Sequence, residues 1–236
     1  MKRIQFLSVF VACLGMMALL SSCKEDQPEV QALSEEEVAE VLEASMAEQS
    51  GGMSLEVAFA AETATAHASA CDYNASESIN RSNSLPPYSY SYNLNYNASV
   101  SCNQFNIPEK LDFSFSSNGS LTTARLNFQF TAASGWVIEG INPAIDELTL
   151  NGSYERSGSY ETDFRNARTF SSELTLDIQQ LTISKETHQI TGGLATFDIS
   201  GTTTDGGTFS YTGQITFLGN GQAQVELNGA TFDISL

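Results

Sequence analysis

Tyr88-Ser89-Tyr90-Ser91-Tyr92-Asn93-Leu94-Asn95-Tyr96-Asn97-Ala98-Ser99-Val100-Ser101-Cys102 is the stretch whose reading decides the fold. Even positions are aromatic or apolar and end in a cysteine; odd positions are all Ser or Asn. An unbroken period of two belongs to a β-strand, because only a strand sends alternate side chains to opposite faces. The Tyr face is expected to meet a core and the Ser/Asn face to meet water. At ~3.3 Å per residue the run is roughly 50 Å long, which predicts a bend or bulge inside it.

Working outward toward the C-terminus, the chain reads as successive hairpins. Asn118-Gly119 is a strong two-residue turn signal, and a turn there sets Phe113 opposite Ala124, Leu111 opposite Leu126 and Ile107 opposite Phe130. Pro108 falls in that ladder and marks an edge or a bulge. Trp136, Ile138 and Ile141 precede a turn at Asn142-Pro143. Leu148, Leu150 and Tyr154 share a face, as do Tyr160, Phe164 and Phe170 beyond Ser157-Gly158. Leu174, Leu176 and Ile178 are followed by Leu181 and Ile183 on the other parity, which predicts a bulge at Gln179-Gln180. Ala195-Thr196-Phe197-Asp198-Ile199-Ser200 recurs as Ala230-Thr231-Phe232-Asp233-Ile234-Ser235, and both copies read as strands. A turn at Asp205-Gly206-Gly207 sets Phe197 opposite Ile215 and Ile199 opposite Gly213. Turns at Gly219-Asn220-Gly221 and Asn228-Gly229 set Val225 opposite both Ile215 and Phe232.

Toward the N-terminus, Ser34 with Glu37 forms a capping box. Glu35, Glu36 and Glu37 suit the positive end of a helix, and Val38, Val41, Leu42, Ser45 and Met46 form its apolar stripe. Gly51-Gly52 is expected to end this helix, giving residues 34–50. In Met53 to Tyr73, Leu55, Val57, Phe59 and Ala61 alternate and the parity continues through Cys71, which predicts a strand despite the alanines. Asp72 to Pro87 is polar and reads as a long loop. The fold expected is all-β, an antiparallel meander of about ten or eleven strands over residues 51–236 after one short helix. Sandwich, barrel and curved sheet all remain open. A membrane-spanning barrel is disfavoured, because the last strands are shorter than the ~9–11 residues a span needs.

The N-terminus is a different kind of segment. Met1-Lys2-Arg3 is basic, Ile4 to Leu20 is mostly apolar, and Leu20-Ser21-Ser22-Cys23 follows directly. That order is a cleaved secretory signal over residues 1–22. Leu20-Ser21-Ser22-Cys23 resembles the lipobox of bacterial lipoproteins. The resemblance covers the leader and the first mature residues, and implies acylation of Cys23 and cleavage before it. Three acyl chains exceed the two signals that stable membrane anchoring requires. Lys24-Glu25-Asp26 resembles the export signal of surface lipoproteins in some Gram-negative bacteria. The implied location is the outer membrane, at the cell surface or, failing that, in the periplasmic leaflet. Residues 23–33, with Pro28, read as an acylated tether.

The leader takes two of the ten Lys and Arg residues, leaving eight against 28 acidic ones, a mature charge near −20. Nucleic acid is excluded as a partner, since such binding depends on cations that neutralise phosphate. Membrane contact therefore rests on the acyl chains. Cys13 leaves with the leader and Cys23 is lipidated, so Cys71 and Cys102 remain as an expected disulfide in an oxidising compartment.

No catalytic or cofactor pattern stands out. His67 and His188 have no zinc spacing, the glycines sit in hairpin turns rather than a phosphate loop, and Asp198 and Asp233 fall on the polar face. The function expected is a non-catalytic outer-membrane lipoprotein with a structural or binding role and a protein or glycan partner. One alternative is a carbohydrate-binding or adhesion module using Tyr88, Tyr90, Tyr92 and Tyr96. Another is an enzyme whose carboxylates meet only in the folded chain.

Overall fold

The Tyr-rich stretch is a strand, and it lies second in a ten-stranded antiparallel sheet whose spatial order is the sequence order. A computed structural model describes residues 32–84, 89–122, 126–162 and 168–236. The strands are β1 (Asn74–Asn83), β2 (Ser89–Cys102), β3 (Pro108–Thr122), β4 (Leu126–Glu139), β5 (Glu147–Thr162), β6 (Arg168–Ser184), β7 (Ile190–Thr203), β8 (Thr208–Gly219), β9 (Gln222–Leu227) and β10 (Ala230–Ser235). Two helices precede them, α1 (Glu35–Met46) and α2 (Met53–Ala66), joined through a single 3-10 turn. The leader, Cys23 and most of the expected tether lie outside the described residues, as do Tyr88, Ala124 and Phe164.

The alternating pattern holds along β2. Tyr92, Leu94, Tyr96, Ala98 and Val100 are buried, with Ser and Asn between them on the other face. The ladder to β3 runs unbroken from Ser89 and shifts only between Ser101 and Cys102, where Cys102 meets Pro108. The bulge is thus at the end of the strand rather than inside it. β3 on one side is just as long, so no interior break is needed.

α1 is built as its sequence indicates. Ser34 accepts from the Glu37 backbone N–H while the Glu37 carboxylate accepts from the Ser34 N–H. Val38, Val41, Leu42, Ser45 and Met46 are all buried. The helix stops at Met46, ahead of Gly51-Gly52. Residues 53–66 correct the strand expectation. Met53, Val57, Ala60, Ala61 and Ala64 form a helical stripe and are fully buried. The hydroxyls of Thr63 and Thr65 donate to the carbonyls of Phe59 and Ala61, one turn back, so the β-branched residues fit the helix. Alanine's helix propensity and the 3.6-residue period prevail over a parity carried largely by small residues.

The loop expected over Asp72 to Pro87 is corrected as well, since residues 74–83 are β1. Its sequence, Asn-Ala-Ser-Glu-Ser-Ile-Asn-Arg-Ser-Asn, is polar because it is an edge strand with one neighbour; Ile79, opposite Leu94, is its main apolar contact.

Asn118-Gly119 is not a turn. Both residues lie inside β3, and Leu111 faces Ile138 rather than Leu126, with Phe113 facing Trp136 and Phe130 facing Gly119. The displacement is twelve residues along the partner strand, an even number, so the same side chains still point inward. Ser157-Gly158 likewise lies within β5. Near Asp205 the connection is longer than expected, because the Thr203 N–H donates to the Gly207 carbonyl. Phe197 therefore faces Gly213 and Ile199 faces Tyr211. Three other readings stand. Val225 faces both Ile215 and Phe232, and the β6 register shifts after Gln179, with Gln180 at φ 52°.

The sheet is curved and open, since β1 and β10 do not pair. Ile79 of β1, Leu94 of β2 and His188 of the β6–β7 turn line one cavity of 220 Å³ beside α2. A flat sheet with ~4.8 Å between strands would hold β1 and β7 about 29 Å apart, so the sheet curls around the helices. α1 lies toward its far edge. The Tyr211 hydroxyl donates to the Leu33 carbonyl at 2.6 Å, Asn228 donates to Glu35, and the Ser235 N–H donates to Glu43. Apolar residues of both helices and all ten strands form one core, with Ile79 and Phe232 at its margin. Residues 32–236 make one compact unit.

Candidate functional site

The sheet's register sets one row of residues across its middle. Tyr92 pairs with Gly119, Gly119 with Phe130, Phe130 with Gly158, Gly158 with Ser172, Ser172 with Gly201, and Gly201 with Phe209. Every member belongs to the parity that faces the helices. Three large rings, Tyr92, Phe130 and Phe209, are separated by small residues, and the glycines make room for the rings. A Cβ at Gly119 would meet the Phe130 ring at 2.8 Å, and one at Gly201 would overlap the Phe209 ring. A glycine inside a strand is expected where another group comes this close.

On the opposite face this row, from Gly119 to Phe209, is the floor of an open groove of about 1130 Å³. Two outward rows form its walls. One runs Ser91, Ser120, Gln129, Ser159, Ser171, Thr202, Thr208; the other runs through Asn118, Thr131, Ser157, Glu173 and Ser200. Rows two residues apart on a strand are about 6.8 Å apart, and seven strands span roughly 29 Å, so the groove suits one chain lying across the sheet. Its walls are hydroxyl and amide groups, each able to donate and accept. Glu173 is the one charged side chain among the described lining residues. The hydroxyls of Ser171 and Thr202 are 3.0 Å apart, and neighbouring wall residues are exposed.

A second polar cluster is closed off from solvent. Arg156 of β5 and Glu56 of α2 are both buried where the helices meet the sheet. Arg156 Nη1 donates to the Ser45 carbonyl at 3.2 Å, to the Gly51 carbonyl and to the Tyr154 hydroxyl. Its guanidinium lies 3.8 Å from the Phe130 ring centre, a cation–π contact. Ser117 donates to Glu56 Oε1 at 2.8 Å. Burial pushes the Glu56 carboxyl well above its ordinary range, against the opposing pull of the Ser117 hydrogen bond and the Arg156 charge. Burial alone would lower Arg156, but Tyr154, Tyr160 and Glu56 hold it above its ordinary value. This cluster ties the end of α1 and the α1–α2 connection to the sheet.

The residues singled out in the sequence are spread over the molecule. Cys71 and Cys102 form a disulfide with Cα atoms 5.7 Å apart, linking the chain after α2 to the end of β2. Both are half-buried. Tyr92 and Tyr96 are in the core, and Phe59 of α2 packs edge-on against the Tyr96 ring at 4.9 Å. Tyr90 is half-buried and lines a shallow depression of 390 Å³ with Arg81, Gln49 and Tyr92. Tyr88 and Cys23 lie outside the described residues. His67 caps α2 and stacks on Tyr73, and His188 sits in the β6–β7 turn at φ 57°. Asp198 and Asp233 are exposed on the outer face. Among the described residues no group of three or more His, Cys, Asp or Glu is placed to hold a metal ion, and no helix is long and apolar enough to cross a membrane.

The groove was not singled out from the sequence, although a signal for it exists. Serines or threonines flank glycine at Gly158 and Gly201, and Asn118 and Ser120 flank Gly119. The triplets at Gly119 and Gly158 read as turns until the register aligns them with Gly201. No family model, curated protein or solved structure matches this chain.

Proposed function

We propose that the mature chain is anchored in the outer membrane by acyl groups on Cys23 and acts at the cell surface as a non-catalytic binding component. The observation that carries this reading is the leader ending in Leu20-Ser21-Ser22-Cys23, followed by Lys24-Glu25-Asp26. The Cys71–Cys102 disulfide supports an oxidising compartment. The acidic composition suits a domain that stands off an anionic surface rather than lying on it. The binding part of the reading draws on the outer groove of about 1130 Å³, whose lining brings together hydrogen-bonding groups and a single carboxylate.

The test is a Cys23→Ala variant followed by cell fractionation and fatty-acid labelling. The variant is expected to lose the label and to leave the membrane fraction, or to accumulate unprocessed. Its sheet should remain folded, because the described core closes within residues 32–236. A labelled, membrane-held variant contradicts the anchor. Turnover of a glycoside or ester by the purified protein, lost on changing one carboxylate, contradicts the non-catalytic role.

A further inference from the structure

We propose that the groove crossing β2 to β8 is a binding site for a linear, uncharged, polyhydroxylated chain: a neutral glycan. The inference rests on the binding role proposed above and names its ligand class. It also places the site on the face opposite the tyrosines.

Four observations converge on that class. The walls carry Ser, Thr, Asn and Gln side chains, which both donate and accept, as sugar hydroxyls do. No Lys or Arg lines the groove among the described residues, and Glu173 adds a negative charge to an already acidic protein, so an anionic chain is repelled. Phe130 and Phe209 are each only 5 % exposed, so the floor gives an apolar chain little surface to cover. A peptide is the fourth case. It binds an existing sheet best by adding to an edge, through main-chain hydrogen bonds. Here the backbone groups of β3 to β7 are committed to neighbours on both sides, and only side chains face the groove.

Hydroxyl groups at regular strand spacing offer a repeating ligand a repeating set of partners. The rows repeat every ~4.8 Å across the strands. Ser159, Ser171 and Thr202 form the middle of one wall on β5, β6 and β7. Without an exposed aromatic platform the affinity comes from hydrogen bonds, each worth little alone, so a long chain should bind better than a short one.

The test uses full-length mature protein in detergent and affinity electrophoresis through gels containing dextran, an α-glucan, a mixed-linkage β-glucan, a mannan or, as the charged comparison, polygalacturonate. At least one neutral polysaccharide is expected to retard the wild type, and polygalacturonate is not. A Ser159→Val, Ser171→Val, Thr202→Val variant removes three hydroxyls with β-compatible side chains. It should weaken that retardation by roughly tenfold or more with the circular dichroism spectrum unchanged. If the triple variant does not fold, Ser157→Gln, which lays a longer side chain from the other wall, should reduce the retardation by itself. Retardation by no neutral polysaccharide, by polygalacturonate equally, or undiminished in a folded variant overturns the assignment. Those outcomes leave acylation and surface exposure untouched, so the two proposals fail separately.

Discussion

Glu56 sits where a carboxylate is costly: inside the core, with Ser117 as its hydrogen-bond donor. A carboxyl whose folded pKa lies above its unfolded one holds its proton more tightly in the folded chain. Below the ordinary value of 4.5 it leaves folding unaffected; as pH rises from there through the raised folded value, it increasingly opposes folding. Glu56→Gln keeps an acceptor for Ser117 and removes the ionisation. Denaturant unfolding across that pH range should show the difference between variant and wild type moving in the variant's favour as pH rises. A constant difference means that Glu56 titrates normally. Gly201 gives a second residue-level test. An alanine Cβ there would overlap the Ser171 carbonyl and the Phe209 ring, so Gly201→Ala should cost about 1–3 kcal/mol or more. Gly135→Ala, with nothing within 4 Å of its new Cβ, is the matched control and should change stability by less than about 0.5 kcal/mol. Neither behaviour was legible from the residues alone. A glutamate within Leu55-Glu56-Val57 carries no sign of burial, and a glycine beside asparagine or serine looks like a turn until its neighbour strand is known.

At the scale of elements, the disulfide holds the end of the helical pair to the sheet. The chain leaves α2 at Ala66, passes Cys71, and enters β1 at Asn74 opposite Ser99, which brings Cys71 beside Cys102. The bond closes 31 residues of sequence, worth roughly 3–4 kcal/mol if chain entropy dominates. Replacing both cysteines by alanine should lower unfolding stability by up to about that amount, and urea titration checks it. No loss would show that the unfolded chain is not restrained by the link. The pairing was legible by elimination, because Cys13 falls in the expected leader and Cys23 in the stretch that resembles a lipobox. The geometry around it was not, since residues 53–73 alternate as a strand does and residues 72–87 are polar as a loop is. In α2, alanines sit on both the helical stripe and the alternating parity, so the two periods competed. In β1, an edge strand with one apolar contact has little periodicity to show. β7 to β10 were clearer, because Gly219-Asn220-Gly221 and Asn228-Gly229 do form the turns their composition suggests, and the strand register follows.

For the whole molecule, strict alternation was enough to establish a meander and to separate inward from outward faces, even where a turn was misplaced. Each turn error displaced the partner by an even number of residues, so every inward side chain stayed inward. The curl of the sheet and the groove behind it depend on pairing across seven strands, which no local window contains. The same alternation leaves the outer face polar, and the acidic residues keep it charged. Such a surface suits the proposed anchor, in which a lipid rather than the domain's own contacts holds it at the membrane. Whole cells treated with a protease too large to cross the outer membrane test that claim most directly. Cleavage of residues 32–236 on intact cells, with a periplasmic control protein untouched, is the result predicted. Full protection on intact cells, lost only when the outer membrane is opened, would contradict surface display.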